Sequence, residues 1–193
     1  MSIFKDSIQN EIRALSALAE GVDEAMWRRA AEMIRFSSLT VTSACGASGY
    51  AARKFAHALS CLECPAKFIA PSEAVHGGIG ALRAGNVLVL VSKGGQTDEL
   101  LPLARIARQK GAHIIAVTQE PASPLARGAD VILRLPAVPE NDPYDMISTS
   151  SFTATTAIFH ALMMEIMARK AYGPAEYAAN HTGGAVGEKL RYR

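Results

Sequence analysis

Five short runs dominated by apolar residues, at 39–45, 66–70, 87–92, 113–118 and 131–135, are separated by stretches with helical spacing. The helix-like stretches cover 49–62, 98–110 and 122–128, with a shorter one near 73–82. Parallel neighbours in a sheet need a crossover of a dozen or more residues between them, usually a helix. Strands apolar along nearly their whole length must be covered on both faces. The alternation therefore predicts an α/β fold, with a parallel sheet between helical layers.

Around this centre the pattern changes twice. Residues 2–20 and 23–36 carry helical periodicity, with Ile3, Ile8, Ile12, Leu15 and Leu18 recurring at steps of three to five residues. Residues 148–171 read as one long helix that opens on hydroxyl side chains and offers Ile158, Leu162, Met163 and Ile166 as an apolar face. That face suits core or a subunit interface. The Pro-rich stretch 136–144 reads as a loop, and there is no internal repeat. With 193 residues, the expectation is one domain over 1–193: N-terminal helices 2–36, sheet core 39–135, then the long helix and a C-terminal tail.

Composition excludes several classes of function. A formal net charge of +2 with scattered basic residues gives no electrostatic footprint for nucleic acid. No window reaches eighteen uninterrupted apolar residues, and the N-terminus is charged and amphipathic rather than a secretory signal, so no membrane partner and a cytoplasmic location are expected. Cys45, Cys61 and Cys64 do not make a disulfide framework. The Cys61–Cys64 pair closes a helix instead of opening one, where the dipole would lower a thiol pKa, and no second pair supplies zinc ligands. Structural cysteines and no metal are expected.

Ligands of open parallel sheets bind beyond the carboxyl ends of the strands. Two of these ends carry glycine beside hydroxyl residues ahead of a helix: "CGASGY" at 45–50 and "SKGGQTDE" at 92–99. Glycine permits close approach, and a helix start presents unpaired N–H groups to an anion. Ser48, Ser92 and Thr97 are candidate hydroxyl donors to a phosphate, and the hydroxyl run 148–153 offers further caps or contacts. Neither loop matches a nucleotide-triphosphatase or dinucleotide fingerprint. On the same edge His76 lies in "EAVHGGIGAL", and Glu99 follows the second loop as a carboxylate directed at a bound sugar or as a partner of its helix dipole. Near the end His181 precedes another glycine pair. A carboxylate, two histidines and a phosphate cradle suit proton abstraction next to a carbonyl.

These motifs carry a resemblance. "SKGGQTDE" followed by "GAHIIAVTQEPASPLARGADVIL" resembles the sugar isomerase, or SIS, domain of phosphosugar enzymes and regulators. "PSEAVHGGIGAL", "STSSFTATTA" and "HTGGAVGEKL" resemble, in the family's order, the isomerase domain of D-arabinose 5-phosphate isomerases. The likeness runs from about residue 5 to residue 190. It implies a three-layer, doubly wound fold with a five-stranded parallel sheet, a homotetramer, and cofactor-free interconversion of ribulose 5-phosphate and arabinose 5-phosphate. It places the catalytic carboxylate on Glu99, the active-site histidines on His76 and His181, and the phosphate contacts on Ser48, Ser92, Gly95, Thr97, Ser150 and Ser151. In tetrameric relatives some of these histidines come from a neighbouring subunit.

The sequence departs from the family at three points. The family's catalytic lysine position is Ala47, and Lys93, in the other loop, is the candidate replacement. The family's His-Pro-Gly-Gly reads His181-Thr182-Gly183-Gly184. Many members continue into paired CBS repeats, which these 193 residues are expected to lack. Besides this isomerase, an isomerase of a different sugar phosphate and a non-catalytic phosphosugar-binding module remain open. Ala47 favours the binder, and Glu99 with the two histidines favours the enzyme. A flavodoxin-like carrier would want more aromatic residues than the 6% present.

Overall fold

The computed structural model describes residues 2–191. Two N-terminal helices, α1 (Ile3–Glu20) and α2 (Glu24–Phe36), precede the sheet, and the Asp23 side chain caps α2 by accepting from the N–H groups of Ala25 and Met26. Then come β1 (Thr40–Ala44), α3 (Gly46–Cys61), β2 (Ala66–Phe68), α4 (Pro71–Val75) and a 3₁₀ turn at Gly78–Ala81. The second half of the sheet follows as β3 (Val87–Val91), α5 (Leu101–Gln109), β4 (His113–Thr118), α6 (Pro124–Arg127) and β5 (Val131–Arg134). α7 (Ser150–Arg169), α8 (Pro174–Asn180) and α9 (Gly184–Arg191) complete the described chain.

The five strands lie in the order β2-β1-β3-β4-β5, all parallel, with Thr40 opposite Val87 and Val87 opposite His113 in register. Every residue of β1 and β3 is buried: β3 is apolar throughout, and in β1 the Thr42 and Ser43 hydroxyls donate to the Ala52 and Ile69 carbonyls. β2 is shorter than its apolar run because it is an edge strand with only β1 to pair against. Two apolar cores flank the sheet. One packs α2, α3 and α7 against it, with the Phe55 and Phe159 rings stacked at 4.1 Å between α3 and α7. The other packs the 69–82 segment, α5 and α6 against the opposite face. This is the α/β fold with a covered parallel sheet that the alternation predicts, doubly wound and five-stranded as the resemblance implies.

Several boundaries differ from the sequence reading for local reasons. α5 begins at Leu101, not 98, because Pro102 fits only a first turn and residues 98–100 form a separate turn closed on the Thr97 carbonyl. The 73–82 stretch divides where Gly77 takes φ +108°, ending α4 at Val75. The C-terminal tail is helical at α8 and α9. α7 is long and apolar enough to cross a membrane by length and composition, but here it contacts α1, α2 and α3 as a core helix.

Candidate active site

The chain runs outward in opposite directions from β1 and β3, so the crevice between their carboxyl ends is the switch point of the sheet, where open α/β folds bind ligands. A pocket of about 620 Å³ opens there, lined from β1 and α3 by Cys45, Gly46, Gly49, Tyr50 and Arg53, from the β2 end by Phe68 and Ser72, and by Glu99. α3 starts directly at Gly46, where φ is +54°. Ser48 therefore sits in the first helical turn, and its hydroxyl has no partner among the described residues. Glu99 lies exposed in the turn before α5, so it faces the pocket instead of completing a helix turn. Burial, and then the Glu99 charge, push the Cys45 thiol above its usual range, which keeps it neutral beside the carboxylate.

The 92–97 loop is already closed on itself. The Ser92 and Thr97 hydroxyls are 2.7 Å apart, and the Gly95 N–H donates to Ser92 Oγ at 3.0 Å. Gly95 takes φ +63°, and a Cβ there would stand 2.0 Å from Ser123 Oγ, so only glycine fits. From the other side, Thr118 Oγ1 donates to the Lys93 carbonyl at 3.0 Å and the Leu125 N–H to the Gly95 carbonyl at 3.1 Å. The loop is thus fixed by β4 and α6.

Lys93 is committed elsewhere than the pocket. Its ammonium donates to Glu140 at 2.9 Å and reaches Asp145 at 3.4 Å. The Glu140 carboxylate, 2% exposed, also accepts from the Thr149 N–H at 2.8 Å and the Ser151 N–H at 3.1 Å. Burial raises its pKa, but bonds from Ser151, Thr149 and Lys93 outweigh that and hold it at about 2. An internal anion therefore occupies the N-terminus of α7 and draws it up beside the 92–97 loop. Ser150 is buried and tied into a polar cluster, its hydroxyl accepting from Asn10 at 2.8 Å and lying 3.2 Å from Asn141 Oδ1. Ser151 Oγ pairs with Ser148 Oγ at 3.1 Å.

The two histidines do not meet. His76 caps the end of α4, exposed, on the β2 side of the sheet. His181 ends α8 and stacks on Tyr177 at 3.8 Å. Asn180 Nδ2 donates to Glu63 Oε1 at 3.1 Å and to the Tyr172 hydroxyl at 3.0 Å, and Tyr172 in turn donates to the Cys61 carbonyl at 2.6 Å. α8 therefore sits at the far end of α3, ~24 Å of helix from Gly46. Within one chain His181 and Glu99 lie toward opposite ends of the strands. Arg53, Tyr50, Cys45 and Ser72 line the pocket but escape the sequence reading. The spacing of Gly46, Gly49, Tyr50 and Arg53 along one face of α3 was the signal for two of them.

Residues 37–165 match the SIS domain family. The chain belongs to the SIS domain family. Over 190 residues this SIS domain is 32% identical to the arabinose 5-phosphate isomerase KpsF of Escherichia coli, covering 98% of this chain and 58% of that protein. The same identity, over 189 residues, holds for the arabinose 5-phosphate isomerase KdsD of Francisella tularensis, with 96% of this chain and 58% of that protein covered. The SIS domain thus spans little more than half the length of the curated relatives it matches. Among solved structures, a candidate sugar-phosphate isomerase of Listeria monocytogenes superposes with a TM-score of 0.89 at 36% identity, covering 94% of this chain and 95% of that one. An E. coli protein in complex with arabinose 5-phosphate superposes with a TM-score of 0.80 at 25% identity, covering 92% and 95%.

Proposed function

We propose that this SIS domain is an aldose–ketose isomerase of a phosphorylated sugar, of the ribulose 5-phosphate/arabinose 5-phosphate type, acting through a cis-enediol. The observation that carries the reading is Glu99 facing the same switch-point pocket as the glycine-opened start of α3. The relatives named for arabinose 5-phosphate isomerisation, and the arabinose 5-phosphate bound in a structural neighbour, support the substrate class. Glu99 takes the proton from one of C1 and C2 and returns it to the other. The electron pair moves within the substrate, so the reaction itself calls for no redox cofactor.

The N–H groups at the start of α3, with Ser48, and the hydroxyls of Ser92 and Thr97 on the loop that Gly95 closes anchor the phosphate and orient the C1–C2 region. Ser151 stands next to this group through Glu140, whereas the contacts of Ser150 favour a structural part for it. His76 or His181 opens the ring or moves protons between oxygens. His181 can do so only in a pocket belonging to another subunit, which is one reason to propose the homotetramer. The exposed apolar side chains of Ile3, Phe4, Ile8 and Ile12 along α1 are a second. A cytoplasmic location goes with this substrate.

Ala47 favours a second reading, a binding module without chemistry, since its side chain brings neither a charge nor a hydrogen-bond donor to the start of α3. Proton NMR of ribulose 5-phosphate in D₂O separates the two. Arabinose 5-phosphate appearing with deuterium at C2 is the expected result. An unchanged spectrum, with arabinose 5-phosphate still raising the melting temperature, would leave the binding module.

A further inference from the structure

Loss of a proton from carbon next to a carbonyl puts the electron pair on oxygen, and the resulting enediolate needs a positive group within reach. Neither of the two positions that sequence comparison suggests for that group supplies it: Ala47 has no charge, and the Lys93 ammonium is held by Glu140 and Asp145. Arg53 lines the pocket two helical turns beyond Gly46, on the same face of α3 as Gly49 and Tyr50. Its guanidinium lies over the Phe68 ring, 3.9 Å from the centroid, so the plane is held without using any of its five N–H donors. Among the described residues no carboxylate pairs with Arg53, and no ion pair joins it to Glu99. An uncommitted guanidinium and an uncommitted carboxylate thus share one pocket, with space for a substrate between them.

Building on the isomerase reading, we infer that Arg53 is a further catalytic residue, donating its N–H groups to the enediolate oxygens while Glu99 handles the proton. Phe68 is its positioning residue. The planar, permanently charged fork suits two neighbouring oxygens, O1 and O2, better than an ammonium would. Arg53 thus supplies from the third turn of α3 the charge that is missing at Ala47 in its first turn.

Steady-state kinetics on ribulose 5-phosphate would compare wild type, Arg53→Ala and Arg53→Lys, each with and without added guanidinium chloride at millimolar concentration. The expected result for Arg53→Ala is a kcat loss of ~100-fold, the scale seen when one oxyanion donor is removed, with KM little changed. Guanidinium should restore part of the rate in that variant and leave wild type unaffected. Arg53→Lys keeps the packing and the charge but not the fork, and should fall between the two. A kcat loss under roughly tenfold overturns the inference. So does a rise confined to KM, which would make Arg53 a phosphate anchor, and so does a loss that guanidinium leaves untouched, which would mark a structural role. An active wild type beside unimpaired variants sinks the inference alone. A wild type without turnover on either pentose phosphate sinks the isomerase reading and takes the inference with it.

Discussion

Gly95 and Glu99 are four residues apart and do opposite work. Gly95 shapes the loop: its φ of +63°, and the mere 2.0 Å that would separate a Cβ at this position from Ser123 Oγ, exclude any side chain. Gly95→Ala combines left-handed strain with a clash against α6, and is expected to cost roughly 2–4 kcal/mol, read as a lower urea midpoint at unchanged slope. Glu99 touches little of its own chain, so Glu99→Gln should leave the melting temperature within about 2 °C. Its turnover on ribulose 5-phosphate should fall by ~1000-fold or more, the scale of a lost general base. Retained turnover in that variant would remove Glu99 from the mechanism. The glycine was legible from sequence as a turn residue, but the reason it must be glycine lies in Ser123, on a distant turn of the chain, and no local pattern reports that.

At the scale of elements, two of the contacts that hold α7 in the fold differ in kind. Midway, Phe159 stacks on Phe55, and Phe159→Ala should cost roughly 3–5 kcal/mol by opening a cavity between α3 and α7. At its start the Glu140 carboxylate binds the Thr149 and Ser151 N–H groups and the Lys93 ammonium. Glu140 titrates at about 2 in the folded chain and near 4.5 when unperturbed. A depressed carboxylate pKa contributes stability above the unfolded value and loses it as pH falls through the folded one. The contribution, on the order of 3 kcal/mol, is therefore present at pH 7 and fades between about pH 5 and pH 2. The stability gap between wild type and Glu140→Gln should shrink over that window in urea titrations. A gap that stays constant with pH would show that the charge of Glu140 is not what holds α7. The hydroxyl run at 148–153 announced a helix start, but not that an internal carboxylate would fill it, because Glu140 lies in an irregular loop without periodicity.

For the molecule as a whole, the separation of His181 from Glu99 gives the proposed assembly a direct test. Glu99→Gln and His181→Asn proteins, each inactive alone, should recover activity when unfolded and refolded together. That recovery requires one pocket to draw its carboxylate and its histidine from different chains. Recovery is not expected if His181 plays no part in a neighbour's pocket. Light scattering on Ile8→Asp/Ile12→Asp gives a second readout: both side chains are exposed on α1, so the substitutions should spare the protomer while weakening self-association.

The alternation of strands and helices was settled at the level of sequence, because a two-sided sheet draws on runs with few charged residues and parallel crossovers demand helices between them. Glycine and hydroxyl residues beside helix starts were legible there too, as local signals, and the SIS family match extends over residues 37–165. Which residues share a pocket was settled by contacts between elements. Arg53 drew no notice in the sequence, and what holds its guanidinium is Phe68, from a different strand. Lys93 looked available until Glu140 and Asp145, from a loop about fifty residues away, closed on it. Periodicity records which face of an element is buried, and it does not record what another element brings to that face.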